Sequence, residues 1–214
     1  LTSDGHLAVI HDETVDRTTD GTGEVASFTL EDLRKLDAGA RFTAADGSMA
    51  FAGKGVTIPT LEEVLDWLAD DVGLVVEIKA RAAAPKVVEA LRERAVSRDG
   101  RAIVISFDEA AIEEVHALDP QLPTGYLLVP TQPFEPALRW AVEHSHAAVH
   151  TWEGDLGLDP APALSQAAAY GRQIGCYVVN DPDRMKQLAA YGLWGFVTDV
   201  PDVARAALGP RGGA

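Results

Sequence analysis

Gly73-Leu74-Val75-Val76-Glu77-Ile78-Lys79 opens a series of short, β-branched runs, each followed by a stretch carrying helix start signals. The runs read Leu74–Ile78, Ala102–Ser106, Thr124–Val129, Ala147–Thr151, Ile174–Val179 and Gly195–Thr198, with starts 28, 22, 23, 27 and 21 residues apart. One strand, one helix and two short loops fill such a spacing. Asp108 precedes an apolar-periodic stretch through Ile112 and Val115. Asp159-Pro160 and Asp181-Pro182 each offer an N-cap followed by proline at the first helical position. Gly171 and Gly192 stand where C-terminal caps are expected, and Gly209-Pro210 ends the last helix, leaving residues 210–214 as a tail.

Near-continuous apolar strands alternating with helices predict an α/β protein with a parallel sheet covered by helices. An open doubly wound sheet and a closed barrel both satisfy that pattern. A GxGxxG after the first strand would favour the open sheet, and none occurs. The expectation is therefore a TIM-type (β/α)8 barrel spanning residues 1–209 as a single domain. Such barrels take about 250 residues. The chain has 214 and begins in mid-pattern at Leu1, so the first strand and most of the second are expected upstream.

The first seventy or so residues follow other rules. Leu1–Ile10 reads as a hairpin around Ser3-Asp4-Gly5, and Thr29 caps a short helix with Leu33 and Leu36 on one face. Residues 39–55 are rich in Gly and Ala and form a long loop within an irregular, insertion-like region over 12–60. Thr60-Leu61-Glu62-Glu63 is a capping box, with Leu61, Val64, Leu65 and Leu68 as the buried stripe of its helix.

Composition removes several function classes. Lys and Arg total 18 against 33 Asp and Glu, a net charge of −15, which excludes a broad nucleic-acid surface. No apolar run approaches the roughly 18 residues of a membrane span. One cysteine, Cys176, excludes an internal disulfide and a zinc–thiolate cluster and reads as a small buried hydrophobe. A single thiol fits a bacterial cytoplasmic location, with a secreted form left open.

Glu77 and Lys79 sit two apart and therefore share a strand face with Val75. In a barrel that face points inward or to the mouth at the strand C-termini, where active sites of this fold gather. The pair is either a structural ion pair or a metal-binding carboxylate beside a phosphate-binding ammonium. His11 follows the run Leu7–Ile10 and lies at a strand end, where an imidazole can serve as general acid or base. Arg17-Thr18-Thr19 with Gly21 and Gly23 makes a polar turn able to close around an anion. Alternation puts His146, Ala148, His150 and Trp152 on one face, with Trp152 a substrate wall or a packing residue and no third ligand for a histidine metal site. His6, His116 and His144 read as solvent-facing. Asn180 and Asp199 end the last two strands, each as a cap or a site residue.

Taken in order, these pieces resemble the glycerophosphodiester phosphodiesterase family. Leu1-Thr2-Ser3-Asp4-Gly5-His6-Leu7-Ala8-Val9-Ile10-His11-Asp12 is similar to the family's LT.DG..VV.HD segment, continuing into Val15-Asp16-Arg17-Thr18-Thr19 and Gly21-Thr22-Gly23. Ile58–Leu65 reads IPTLEEVL, Glu77-Ile78-Lys79 reads EIK, and Ile105-Ser106-Phe107-Asp108 follows. Tyr177-Val178-Val179-Asn180 stands for WTVN, and Thr198-Asp199-Val200-Pro201 for TD.P. The resemblance implies a barrel with a divalent cation, Ca²⁺ or Mg²⁺. It makes Glu77 a metal ligand, His11 one of two acid/base histidines and Lys79 a phosphate contact. Tyr177 and Asn180 become further substrate contacts, to which the strand reading adds Trp152.

The implied reaction is attack by the glycerol 2-hydroxyl to give a cyclic phosphate, which water then opens. Its products are sn-glycerol 3-phosphate and a free alcohol. The substrate is thus a small glycerophosphodiester. A phospholipase acting on lipid phosphodiesters and a non-catalytic fragment are the rival readings. The family's His-Arg-Gly, and the Glu-x-Asp pair that precedes the LT.DG segment, are not in the chain; an upstream extension of roughly 30 to 50 residues, the length of the barrel units lacking here, is expected to carry them, with the Glu-x-Asp just before Leu1.

Overall fold

The structure, a computed structural model, describes residues 1–44, 46–94, 96 and 99–209, so the tail and the proline expected after the last helix lie outside the described residues. The chain divides into two compact units, Leu1–Leu74 with Ile78–Arg101, and Val75–Glu77 with the described residues from Ala102 onward.

In the first unit the expected hairpin is absent. The segment around Ala8 bridges Thr60 antiparallel: Val9 N–H donates to the Pro59 carbonyl at 2.8 Å and Leu61 N–H to the Leu7 carbonyl at 2.9 Å. Thr2 to His6 forms a tight turn, with Gly5 at φ +83°, which is tied to residues 28–30 by Ser3 N–H donating to the Phe28 carbonyl at 2.8 Å and Leu30 N–H donating to Asp4 Oδ1 at 3.1 Å. Leu7 and Ile58, on the two paired segments, are buried, so apolar burial between distant segments and not a local turn sets this pairing. Val15, Val25, Leu33 and Ile58 form the core here, joined by Ile10, Phe28 and Leu36. Thr29 caps α1 (Leu30–Leu33). Thr60 and Glu63 complete the capping box of α2 (Leu61–Trp67), whose Leu61 and Leu65 are buried. Helix α3 (Ala84–Glu93) buries Val87, Val88 and Leu91.

The second unit carries the sheet. Strands β1 (Leu74–Glu77), β2 (Ala102–Ser106), β3 (Thr124–Leu127), β4 (Ala148–Trp152), β5 (Gln173–Tyr177) and β6 (Gly195–Phe196) lie side by side in the order of the chain. Pairing from β2 to β6 is parallel, with Ser106 opposite Tyr126, Leu127 opposite His150, and Trp152 opposite Tyr177. This order decides between the two α/β alternatives. A doubly wound sheet reverses direction at a switch point, whereas walking round a barrel meets the strands in sequence. Helices α4 (Glu109–Leu118), α5 (Phe134–Glu143), α6 (Ala161–Ala169), α7 (Pro182–Ala190) and α8 (Pro201–Leu208) follow their strands. Ile112, Leu138, Ala141, Val149, Ile174, Met185 and Leu188 fill the layer between helices and sheet. The sheet's other surface carries Ile103, Ile105, Leu127, Ala148 and Tyr177.

The caps lie mostly where the sequence places them. Asp108 and Asp181 accept bonds from the first-turn amides of Ala110 and Arg184. Helix α6 begins one residue late, at Ala161, although Asp159 still accepts its N–H at 3.1 Å.

Candidate active site

In the first unit the bend at His11 brings together the side chains of His11, Asp12 and Arg17. His11 Nδ1 lies 2.6 Å from Asp12 Oδ1. Arg17 grips the same carboxylate with two bonds, Nε to Oδ2 at 2.6 Å and Nη2 to Oδ1 at 2.8 Å. These bonds, Arg17's first, hold the Asp12 carboxyl far below the usual carboxylate range. An ionised Asp12 accepts only, so the bond from His11 is Nδ1–H donating, which leaves the Nε2 lone pair free on an imidazole whose side chain is 74% exposed.

The neighbouring turn is not an anion cradle. Gly21 N–H already donates to Thr19 Oγ1 at 3.0 Å and Gly23 N–H to Asp16 Oδ2 at 2.9 Å, while Thr19 Oγ1 donates to the Val15 carbonyl. The donors an anion would use are spent on the fold. Lys79 lies exposed in the bend after β1, two residues beyond the shortened strand.

In the second unit Glu77 ends β1 with its Oε1 buried. The Tyr177 hydroxyl titrates above its ordinary value, chiefly through burial and then through Asp155 and Glu77. Glu77 therefore acts on the sheet surface that carries Tyr177. Tyr177 donates its O–H to the Leu128 carbonyl and meets Phe107 edge-on at 6.1 Å. Trp152, opposite Tyr177 in register, is 41% exposed, and its ring lies so close over Gly154 that a Cβ there would collide with it. Phe107, Trp152 and Tyr177 thus stand at the carboxyl ends of β2, β4 and β5, with the rings of Phe107 and Trp152 exposed.

Asn180 serves the fold. Its Oδ1 accepts from Thr198 O–H and Asp199 N–H at 3.0 and 2.9 Å, and its Nδ2 donates to Asp199 Oδ2 at 2.8 Å. Asp181, not Asn180, caps α7.

The histidines separate. His146 is wholly buried before β4, bonded to Thr124 Oγ1 at 2.7 Å and Glu113 Oε1 at 3.1 Å. His144 also bonds Glu113, at 2.6 Å, and stacks on Trp140, while His116 meets His146 edge-on. His116 and His144 are thus parts of a packed cluster and not purely solvent-facing. His150 lies inside the sheet's other surface, 4% exposed, its Nε2 buried with no hydrogen-bond partner among the described residues. Burial pulls its pKa down to about 4.

Sequence reasoning missed the Arg17 grip on Asp12 and the role of Glu113. Signals existed for both: a lone Arg five residues after His-Asp, and a Glu one helical turn before His116.

Among the described residues no group of three or more His, Cys, Asp or Glu is placed to hold a metal ion. A hard cation takes about six to eight oxygens. Glu77 supplies one carboxylate, so the described residues do not by themselves fit Ca²⁺ or Mg²⁺. No helix among them is long and apolar enough to cross a membrane.

Residues 1–203 match the family model described as the glycerophosphoryl diester phosphodiesterase family. The chain belongs to this family. It is 33% identical to a glycerophosphodiester phosphodiesterase of Bacillus subtilis, over 95% of this chain and 72% of that one. A glycerophosphodiester phosphodiesterase of Caldanaerobacter subterraneus is 34% identical over 94% of this chain and 80% of its own. Among solved structures, an Oleispira antarctica phosphodiesterase in complex with the product sn-glycerol-3-phosphate superposes with TM-score 0.79 at 23% identity, covering 98% of this chain and 82% of that chain. A glycerophosphodiester phosphodiesterase of Agrobacterium tumefaciens gives 0.78 at 24% identity, covering 96% and 83%. At these identities the structures speak for the family fold.

Proposed function

We propose that this chain hydrolyses glycerophosphodiesters to sn-glycerol 3-phosphate and an alcohol, with His11 as an acid/base group. Family membership over residues 1–203 carries the reading. The sequential strand order supports membership of a (β/α)8 barrel.

The chemistry of the residues agrees. With Nδ1 engaged by Asp12, His11 presents Nε2 to the reaction. The neutral ring can take the proton of an attacking hydroxyl, and the protonated ring can return one to the departing alkoxide. Lys79, exposed after β1, suits a point-charge contact to a phosphodiester oxygen. Trp152 and Tyr177 offer an apolar wall for the substrate's carbon skeleton. A divalent cation at Glu77 would supply charge neutralisation at the phosphate. That part rests on the family resemblance alone, since the described residues do not complete a coordination shell. Asn180 is better assigned to holding the loops after β5 and β6 together than to substrate.

The test is enzyme-coupled detection of sn-glycerol 3-phosphate released from glycerophosphocholine and glycerophosphoethanolamine, with Ca²⁺, Mg²⁺ or EDTA, for the native protein and His11→Asn. Turnover that disappears in the variant supports the reading. Turnover unaffected by the substitution removes His11 from the chemistry. No turnover with any metal leaves a non-catalytic scaffold, and choline release from lysophosphatidylcholine without glycerol 3-phosphate release from the deacylated diesters favours the phospholipase alternative.

A further inference from the structure

We infer that Arg17 is a positioning residue for His11: by clamping both oxygens of Asp12 it fixes the imidazole with its proton on Nδ1 and its lone pair on Nε2. This rests on the reading of His11 as an acid/base group.

An exposed imidazole left to itself rotates freely and carries its proton mainly on Nε2, the wrong nitrogen for a base that must accept there. Two features of the bend correct this. Adjacent side chains on an extended strand point to opposite sides, so His11 and Asp12 meet only because the chain bends over residues 11–13. A bend alone leaves the Asp12 carboxylate free to turn about its own χ angles. Arg17, five residues on, removes that freedom. Its planar fork reaches Oδ2 through Nε and Oδ1 through Nη2, and Oδ1 is the oxygen that also receives His11 Nδ1.

Two parallel N–H···O bonds set the plane of the carboxylate, which a single contact would not. The carboxylate plane then sets the plane of the ring. The same three-part logic, a base oriented by a carboxylate that other donors hold, recurs in hydrolases with unrelated folds.

Arg17 is more than a solvated surface charge. Ordinary exposed ion pairs contribute little and are often single contacts. Here the Arg17 side chain is 60% exposed, yet its Nε and Nη2 converge on a carboxylate that is only 27% exposed and already engaged by His11. The Asp12 carboxyl, held far below its usual range, stays an acceptor throughout the pH interval in which an imidazole cycles. A lysine at position 17 would supply charge without the fork, which is why that substitution discriminates.

The experiment uses the full chain and four variants: Arg17→Gln, Arg17→Lys, Asp12→Asn and His11→Asn. The tautomer of His11 is read from its ring ¹⁵N shifts at a pH where the ring is neutral, assigned by loss of the signals in His11→Asn. In the native protein the Nδ1–H form should dominate. In Arg17→Gln the signals should move toward the Nε2–H form, with Arg17→Lys between and Asp12→Asn furthest. Turnover should follow, kcat falling about ten- to hundredfold in Arg17→Gln while KM stays within about twofold.

An unchanged His11 tautomer in Arg17→Gln would overturn the inference. So would a rise in KM with kcat preserved, which would make Arg17 a substrate contact. If His11→Asn keeps full activity, the catalytic reading fails on its own, while the tautomer measurement still decides whether Arg17 orients the ring.

Discussion

Acidifying the protein should expose the cost of keeping His150 neutral. Its ring lies 4% exposed between strands, pressed against two glycines: a Cβ on Gly175 would approach its Cε1 to 2.6 Å, and one on Gly125 its Cδ2 to 3.1 Å. Its pKa falls from 6.5 to about 4 because burial disfavours the charged ring. The unfolded chain titrates near 6.5, so between that value and about 4 the unfolded state binds one more proton than the folded state. The stability associated with a neutral His150 is therefore complete above about pH 6.5 and is lost as pH falls, at about 1.4 kcal/mol per pH unit, until the folded ring also protonates. The full excursion is worth about 3 kcal/mol, a large share of the roughly 5–15 kcal/mol that holds a domain together.

Carboxylates titrate in the same region, so the informative quantity is the difference between the native protein and His150→Asn, which keeps a polar side chain but does not titrate. Urea unfolding from about pH 7 to about pH 4.5 should show the native protein losing about 2–3 kcal/mol more than the variant. Parallel pH profiles for the two proteins would refute the burial argument. So would a His150 signal that titrates near its ordinary value in the folded protein.

Other outcomes follow from local packing. Gly175→Ala should destabilise by about 1–3 kcal/mol, lowering Tm by several degrees, and His150→Ala in the same chain should relieve most of that loss; strict additivity of the two would refute the clash. Cys176, fully buried with its thiol pushed up to about 12, should resist a disulfide reagent at neutral pH in the folded protein and react as one thiol after unfolding. Thr60→Ala removes the hydroxyl of a complete capping box and should cost about 1 kcal/mol in urea unfolding, with turnover per folded molecule unchanged. Glu77→Gln should reduce activity with little loss of Tm if the carboxylate serves chemistry, and lower Tm first if it serves structure.

The strands were legible because apolar β-branched runs and turn signals are local properties. Ala102–Ser106 has the bounds its apolar run predicts; β1, β3 and β6 end a residue or two early, β4 is displaced by one residue to Ala148–Trp152, and β5 starts one residue earlier and ends two earlier, at Gln173–Tyr177. Whether the sheet is wound once or twice is a matter of strand order, which no local pattern carries; only the absence of a glycine fingerprint leaned the right way.

The hairpin failed for a related reason. Ala8 pairs with Thr60 across more than fifty residues, and a turn signal at Gly5 says nothing about so distant a partner. His11, Glu77 and Lys79 were singled out by residue type and by their positions at strand ends. The bonds of Asn180 to Thr198 and Asp199 join segments about nineteen residues apart, which no local pattern shows. His150 gave no sign of burial, because its room is made by glycines on two other strands.

Strand order also has a kinetic consequence. Because each strand of the sheet has its chain neighbours as its sheet neighbours, every pairing closes a loop of one helix and two turns. The entropy of closing such loops grows only as about 1.5 RT ln n, so no single step of assembly is long. The sheet can grow by adding the next βα unit to an edge already formed, and a chain emerging from the ribosome can lay down β2 on β3 before β6 exists. The antiparallel bridge of Ala8 to Thr60 lacks that advantage, and its formation should be the slower event to reach protection in a hydrogen-exchange folding experiment.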